Sequence, residues 1–187
     1  MKTRPGISKY FVAIVPPSPL FEQAWEWKEF FKNEFNAKAA LNSPPHITLH
    51  MPFEWKTAKE EILIDALQRF ASTQNTFSID LINFGCFPPR VIFIQVAEST
   101  ELRKLQSDLR QYCKTELDLF NANRLDQPYH PHVTVAFRDL KKAIFPNAWA
   151  SVRDLEFSGR FYAGELVLLR HNGKIWEVKK RFAFSEN

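Results

Sequence analysis

Apolar residues occur along this chain in two patterns, short continuous or alternating runs and runs with helical spacing. These patterns predict a series of strands and helices. Lys9–Val15 is almost wholly apolar and stops at two prolines, which predicts a buried strand. Apolar residues at roughly helical spacing follow and predict a helix over residues 18–35. The two patterns then alternate to the end of the chain. They predict strands over 46–53, 77–84, 91–96, 132–137, 157–162, 165–170 and 175–184, and helices over 57–71 and from about 100 onward.

Polar residues mark the starts of two of these helices. Thr57 and Glu60 have the spacing of a capping box, in which each side chain would cap the start of the second helix. Ser99 or Thr100 is placed to cap the third helix.

The order of elements repeats. A strand, a long helix, a strand, a helical or irregular segment and a strand occur over residues 9–84 and again over 91–163. A hairpin is predicted over 165–184, because Asn172-Gly173 has the composition of a two-residue turn. We therefore expect a duplicated α+β unit within a single domain over residues 1–187, with the two motif strands side by side about a pseudo-twofold axis.

Equivalent strands of the two copies carry nearly the same residues. One reads His46-Ile47-Thr48-Leu49, the other reads His132-Val133-Thr134-Val135, and each is entered through proline. Successive side chains of a strand face opposite sides, so each His shares a face with its Thr while the aliphatic residues face the core. Two such units facing each other would hold two imidazoles and two hydroxyls around a small anionic group.

A histidine pair suits acid–base catalysis near neutral pH. A neutral imidazole can take a proton from water, and an imidazolium can give one to a leaving oxygen. On opposite sides of a phosphate, His46 and His132 would catalyse phosphoester transfer without a metal ion. Thr48 and Thr134 would bind the non-bridging oxygens as phosphorus becomes five-coordinate. These four residues are the predicted catalytic residues.

A metal site is the main competing interpretation, because His46 and His50 are four residues apart and His130 and His132 are two apart. Four residues of a strand span about 13 Å, beyond the reach of two imidazoles that bind one ion. No carboxylate or cysteine follows either pair at a recognisable ligand spacing, so neither a metal nor a cofactor is predicted. No Gly-x-Ser-x-Gly or Walker A sequence supports a serine nucleophile or ATP use.

Further residues near the motifs are predicted to bind substrate by phosphate contacts, base stacking or hydrogen bonds: Arg90, Arg138, Phe87, Tyr129, His130 and His50. The arginines would contact phosphate, with a solvated surface position as the alternative for each. Phe87, in a turn with two prolines, is the better candidate for stacking on a base. The prediction for His50 assumes that strand alternation continues from His46.

Composition fits an ordinary soluble protein with a mild positive bias. The net charge is +4, and residues 138–187 hold ten Lys/Arg against six Asp/Glu, which suits RNA or a small nucleotide as partner. Cys86 and Cys113 form no CxxC pair and are expected to be reduced thiols. No stretch approaches the ~20 apolar residues of a membrane span, and Tyr10–Val15 is too short for a signal-peptide core. We expect a cytoplasmic monomer that needs no protein partner.

The paired motifs resemble those of the 2H phosphoesterase superfamily, in particular the bacterial 2′-5′ RNA ligase-like proteins, also described as RNA 2′,3′-cyclic phosphodiesterases. Pro45–Leu49 with Pro52-Phe53, and Tyr129–Ala136, carry the resemblance, and the element order supports it over about residues 9–182. The resemblance implies a bilobal α+β fold with two pseudo-symmetric antiparallel sheets, outer helices and a central cleft. It also implies metal-independent opening of 2′,3′-cyclic phosphates to 2′-phosphates, in some members with reversible 2′-5′ joining of RNA ends.

The resemblance further implies roles for single residues. By analogy His46 would be the acid for the 3′ leaving oxygen and His132 the base for water, and the reverse assignment stays open. Relatives often carry an arginine where this chain has Phe137, so Arg138 could take its place only if the strand has ended. The alternatives are a non-catalytic RNA- or nucleotide-binding module of the same fold and a metal-dependent hydrolase.

Overall fold

The computed structural model describes residues 4–120 and 128–185, in which eight strands and four helices form an α+β fold. The strands are β1 (Ile7–Ile14), β2 (Ile47–Lys56), β3 (Phe77–Phe87), β4 (Val91–Val96), β5 (His132–Ala136), β6 (Ser158–Ala163), β7 (Glu165–His171) and β8 (Trp176–Ala183). The helices are α1 (Leu20–Phe35), α2 (Glu60–Ala71), α3 (Thr100–Leu117) and α4 (Phe145–Ala150), with 3₁₀ segments at Ala39–Asn42 and Thr57–Lys59.

All eight described strands join one antiparallel sheet in the order β6-β3-β4-β5-β2-β1-β7-β8. The motif strands β5 and β2 meet at its centre, where Ile47 lies opposite Val133. That single paired position joins the half β6-β3-β4-β5 to the half β2-β1-β7-β8. The α+β prediction is therefore confirmed, and the two sheets implied by the resemblance are two halves of one sheet.

Helices α1 and α3 pack crosswise behind the motif strands. Helix α1 connects β1 to β2 but packs on β5, and α3 connects β4 to β5 but packs on β2. Fully buried residues of this core include Leu109 on α3, Leu63 on α2 and Val133 on β5. Burial of each such side chain stabilises the fold by about 1.5–3 kcal/mol, so the helices brace the weakly paired centre of the sheet.

A smaller apolar cluster lies on the other face of the half that contains β1. Its buried residues are Phe11, Ala13, Val15, Val167 and Leu169, and Phe21 and Trp176 pack against them. Strands β1 and β7 are thus apolar on both faces, which explains why Lys9–Val15 is almost continuously apolar in the sequence.

The two predicted helix caps have different outcomes. Ser99 caps α3, because its hydroxyl oxygen accepts a hydrogen bond from a backbone N–H of the first turn at 3.1 Å. The predicted capping box is wrong, since α2 begins at Glu60 without a side-chain cap and Thr57 donates to the Gly6 carbonyl. The Glu60 carboxylate instead accepts a 2.6 Å hydrogen bond from the buried Tyr10 hydroxyl. Thr57 and Glu60 therefore bond residues distant in the sequence and not the start of α2.

The C-terminal hairpin forms as predicted, with the Asn172 N–H donating to the carbonyl after the turn and Gly173 at φ +102°. By position in the sheet, β1-α1-β2 corresponds to β4-α3-β5, while β3 lies beside β4 in the other half. The repeat over 9–84 and 91–163 and the single-domain extent stay predictions.

Candidate active site

The motif strands bring both His-x-Thr units to one face of the sheet. Strands β2 and β5 are antiparallel, and their paired position lies between the His and the Thr of each motif. Continued by one residue on each side, this register places His46 across from Thr134 and His132 across from Thr48. The two histidines are then diagonal neighbours, for which the Cα atoms are roughly 7–8 Å apart and the Cβ atoms somewhat closer. All four side chains line one cleft of about 330 Å³.

Each motif strand has a β-bulge at the same place after its threonine. The β1–β2 register shifts there, and so does the β4–β5 register. A bulge adds one residue to one strand and so reverses the faces of the residues that follow. Two successive residues are consequently buried in each strand, Leu49 with His50 and Val135 with Ala136. The residues that follow line the cleft again. They are Met51 and Pro52 after the first motif, and Phe137 and Arg138 after the second.

The bulge makes the predicted cleft position of His50 wrong. Its side chain is fully buried and does not line the cleft. The ring lies edge-on to Phe53, and its Nδ1 is 2.8 Å from the Met51 carbonyl oxygen. Burial lowers the pKa of His50, which favours the neutral ring. Strict alternation failed because the bulge depends on pairing with β1, which the sequence of β2 alone does not reveal.

The same local hydrogen bond orients both cleft histidines. His46 Nδ1 is 2.7 Å from the Pro44 carbonyl oxygen, and His132 Nδ1 is 2.8 Å from the His130 carbonyl oxygen. A carbonyl oxygen only accepts, so Nδ1 carries a proton and donates in each ring. Nε2 is left to accept a proton in the neutral ring or to give one in the charged ring.

The charged surroundings of the two rings differ. Burial, followed by the positive charge of Lys28, lowers the pKa of His46 to about 3, against the effect of the Pro44 carbonyl. Burial also lowers the pKa of His132, where the neighbouring charge is that of the exposed His130. Both pKa shifts favour neutral rings at neutral pH, and His46 is the harder ring to protonate.

Lys28 was missed by the sequence analysis. It is 1% exposed, and its Nζ donates to the carbonyl oxygens of Ala40 at 3.0 Å and Ser43 at 2.8 Å. Desolvation lowers the pKa of Lys28 to about 7. One signal was present: Lys28 lies four residues after Ala24 and three before Phe31, on the buried stripe of α1.

Phe11 and Trp176 form an aromatic wall beside His46 that was also missed. The Phe11 ring centroid lies 4.7 Å from that of His46 and 4.7 Å from that of Trp176. Both aromatic rings line the cleft. Neither residue is near a motif in the sequence, because they reach the cleft only through the sheet order β2-β1-β7-β8.

Of the two predicted phosphate-binding arginines, the structure brings one to the cleft. Strand β5 ends at Ala136, so Arg138 follows the strand and lines the cleft, with its Cζ 5.6 Å from the Phe137 ring centroid. Arg90 is exposed and does not line the cleft, and its Nη1 donates to the Arg138 carbonyl oxygen at 2.8 Å. The structure therefore places Arg90 beside the Arg138 backbone.

The other predicted substrate-binding residues surround His132 without lining the described cleft. The Phe87 ring centroid lies 5.2 Å from that of His130 and 5.3 Å from that of His132. The Tyr129 hydroxyl donates to the Thr48 carbonyl oxygen at 3.1 Å and so ties the approach to β5 to strand β2. Their contacts with substrate stay predictions.

Within residues 4–120 and 128–185, no three His, Cys, Asp or Glu side chains are placed to hold a metal ion. No helix in those ranges is long and apolar enough to cross a membrane. Cys86 and Cys113 are both free thiols.

The chain matches a known family over most of its length. A family model described as the 2′-5′ RNA ligase superfamily matches residues 16–175, which contain both His-x-Thr units. The chain belongs to the 2′-5′ RNA ligase superfamily. The resemblance seen in the motifs is thereby confirmed, and membership supports a phosphoesterase or 2′-5′ ligase-type function.

Curated proteins with similar sequences include provisionally named phosphoesterases from Geobacillus. One from Geobacillus kaustophilus is 26% identical over 178 residues, which cover 93% of this chain and 95% of that protein. Another, from Geobacillus sp. WCH70, is 24% identical over 178 residues with the same coverage.

Solved structures share the superfamily fold. Escherichia coli LigT complexed with 3′-AMP has a TM-score of 0.70 at 23% identity, covering 96% of this chain and 99% of that one. A protein from Thermus thermophilus has a TM-score of 0.69 at 19% identity, covering 94% of this chain and 97% of that one. At these identities the likeness shows a common fold.

Proposed function

We propose that this protein is a metal-independent phosphoesterase that opens 2′,3′-cyclic phosphates of RNA or small nucleotides to 2′-phosphates. One observation carries the proposal: both His-x-Thr units line one cleft, and Nε2 of each ring has no hydrogen-bond partner among the described residues. The LigT structures with 3′-AMP and with ATP support a nucleotide as the ligand class.

In the proposed reaction two bonds change at phosphorus. A neutral imidazole takes a proton from water as the water oxygen bonds to phosphorus. The bond from phosphorus to O3′ breaks, and a protonated imidazole gives its proton to O3′, which leaves a 2′-phosphate. The Thr48 and Thr134 hydroxyls donate to the non-bridging oxygens of the five-coordinate transition state. A 5′-hydroxyl of RNA in place of water would give a 2′-5′ linkage, the ligase form of the same reaction.

The unequal surroundings of the rings favour His46 as the base and His132 as the acid. His46 lies near the positive charge of Lys28, which disfavours a charged imidazole. The charge that lowers the pKa of His132 is that of the exposed His130 ring, and no buried ammonium acts on it among the described residues, so a bound phosphate would protonate His132 more readily. This assignment is the reverse of the one that the family resemblance implies.

Arg138 and the aromatic wall supply the proposed substrate contacts. The Arg138 guanidinium would neutralise phosphate charge by charge-assisted hydrogen bonds, and Phe11 or Trp176 would stack on a nucleobase. Both features line the cleft that holds the histidines. The cytoplasmic location and the monomeric state stay predictions.

The test is turnover of 2′,3′-cyclic nucleotides, and of an RNA ending in a 2′,3′-cyclic phosphate, with EDTA present. We expect metal-free formation of a 2′-phosphate by the wild type and a loss of roughly 10²–10⁴-fold in both His46→Ala and His132→Ala. Loss of wild-type turnover in EDTA, regained with added metal, would establish the metal-dependent alternative. Binding of the RNA without turnover by folded wild-type protein would establish the non-catalytic module.

A further inference from the structure

Lys28 is a buried amine that the proposed reaction does not use. Its side chain is 1% exposed, and no carboxylate within the described ranges forms an ion pair with it. Its polar contacts there are two backbone carbonyls and, at 5.7 Å, the ring of Trp25. An unpaired amine in the interior lowers the stability of a fold. The groups that the amine binds, the carbonyls of Ala40 and Ser43, therefore indicate what its burial achieves.

The ammonium holds the end of a short cleft-lining segment. Residues 39–43 contribute four side chains to the cleft wall, and the next residue, Pro44, supplies the carbonyl that orients His46. The Ala40 and Ser43 carbonyls, both bound by Lys28, lie within this segment. A shift of the segment would therefore move the cleft wall and the His46 ring together.

The start of the same segment is held by a carboxylate from the chain that follows the other motif strand. Asp139 Oδ2 accepts the backbone N–H groups of Lys38 and Ala39, each at 2.9 Å. The negative group lies at the N-terminal end of the 3₁₀ turn and the positive group at its C-terminal end, the favourable arrangement for a helical turn. Side chains from α1 and from the chain after β5 thus fix both ends of residues 38–43.

The side chains exposed by this segment are free to bind. Asn42 and Ser43 line the cleft, and neither side chain has a hydrogen-bond partner among residues 4–120 and 128–185. An amide and a hydroxyl can each donate to phosphate or ribose oxygens. They stand on a backbone that cannot easily relax away from a ligand.

We propose that Lys28 is a positioning residue that fixes residues 39–43, and thereby holds Asn42, Ser43 and the His46 ring in place for a nucleotide phosphate ester. This inference rests on the proposed function for its substrate class. Its structural part, the fixing of the segment by a buried amine, is independent of any activity.

The central experiment compares Lys28→Met, Lys28→Gln and the matched control Lys32→Met. Lys32 lies on the same helix but is exposed and pairs with Glu29. We expect Lys28→Met to lower kcat/KM for a 2′,3′-cyclic nucleotide at least tenfold, with a rise in KM, and Lys28→Gln, whose shorter side chain keeps an amide NH₂ that can donate, to lie between it and wild type. Lys32→Met should stay within twofold of wild type.

Two measurements need no activity and separate this inference from the proposed function. Hydrogen exchange of the amides of residues 38–45 should speed up in Lys28→Met and stay unchanged in Lys32→Met. The His46 ring should titrate at higher pH by NMR in Lys28→Met, because the groups facing it are then His132 and the cleft residue Arg138, without Lys28.

The outcomes are distinct. A folded Lys28→Met with wild-type exchange and wild-type His46 titration overturns the inference, whatever the activity. Altered exchange and titration without wild-type turnover keep the structural part and overturn the proposed function. If Lys28→Met does not fold, the same exchange and titration measurements on Lys28→Gln decide: wild-type values for both overturn the inference, and faster exchange of residues 38–45 supports it.

Discussion

The two motif strands have the same local structure and different neighbours. In both, the imidazole Nδ1 donates to the carbonyl two residues earlier, the threonine shares the cleft face, and a bulge follows the threonine. Around them the two halves differ. His46 lies against Phe11 and near the buried Lys28, whereas His132 lies against Phe93 and near the exposed His130.

The difference in neighbours explains how one repeated motif can supply two chemical roles in the proposed reaction. The local hydrogen bond occupies Nδ1 and leaves Nε2 facing the cleft, and it is the same in both halves. The tertiary neighbours set how readily each ring takes a proton, and they are not the same. In the proposed reaction, acid and base would therefore be distinguished by the residues around the motif and not by the motif.

The largest predicted effect tests the different roles proposed for the two histidines, and it comes from changing the leaving group. A cyclic substrate with sulfur in place of O3′ leaves without a proton donor, so His132→Ala should regain most of the roughly 10²–10⁴-fold activity that it loses on the oxygen substrate. His46→Ala should not regain it, because the water still needs a base. Initial rates on both substrates give the answer. Recovery by His46→Ala alone would restore the assignment that the family resemblance implies.

The two threonines should have equal effects on activity, unlike the two histidines. We expect Thr48→Val and Thr134→Val each to lower kcat by roughly 10²-fold with little change in KM, because the lost donors act mainly on the transition state. Thr115→Val, at an exposed position on α3, is the matched control and should leave kcat unchanged. A large loss in only one of the cleft variants would show that one hydroxyl alone contacts the phosphate.

Arg138 and Pro52 occupy equivalent positions after the two bulges, and only the second half offers a charge there. We expect Arg138→Met to raise KM roughly tenfold, since a hydrogen bond to a charged group contributes about 1.5–3 kcal/mol. The control is Arg153→Met, an exposed arginine paired with Asp154 outside the cleft. An unchanged KM in Arg138→Met would place the phosphate charge on other groups.

The smallest predicted effect is on stability against pH. Both histidines have lowered pKa values in the folded state, so the unfolded chain binds more protons below the ordinary pKa of 6.5. The contribution of these neutral histidines to the free energy of unfolding is fully present above about pH 6.5. It is lost as the pH falls from there toward the pKa of the folded state, which is about 3 for His46. Urea unfolding between about pH 7 and about pH 5 should lose less stability in His46→Gln than in His132→Gln, by up to about 1 kcal/mol. Equal losses would mean that the rings are equally hard to protonate.

The sequence predicted the features that depend on neighbours along the chain. The His-x-Thr faces before the bulge, the eight strands and the Ser99 cap all follow from local periodicity and local hydrogen bonds. His50 was misplaced because a bulge is set by pairing between strands. The capping box at Thr57 failed because Glu60 is taken by the Tyr10 hydroxyl from another strand.

The residues that were missed belong to the tertiary level. Phe11 and Trp176 come together only when β1, β7 and β8 take their order in the sheet. Lys28 lies on the buried stripe of α1, but its partners are backbone carbonyls, which the sequence does not identify.

The single paired position between β2 and β5 has a mechanical consequence. The cleft histidines belong to opposite halves of the sheet, and Ile47 opposite Val133 is the one described backbone pairing between those halves. A small sliding of the halves would separate the imidazoles while almost all hydrogen bonds within each half survive. The crossed helices α1 and α3 resist that sliding. The packing of the two helices therefore holds the spacing of the two cleft imidazoles, and backbone pairing within the sheet contributes little to it.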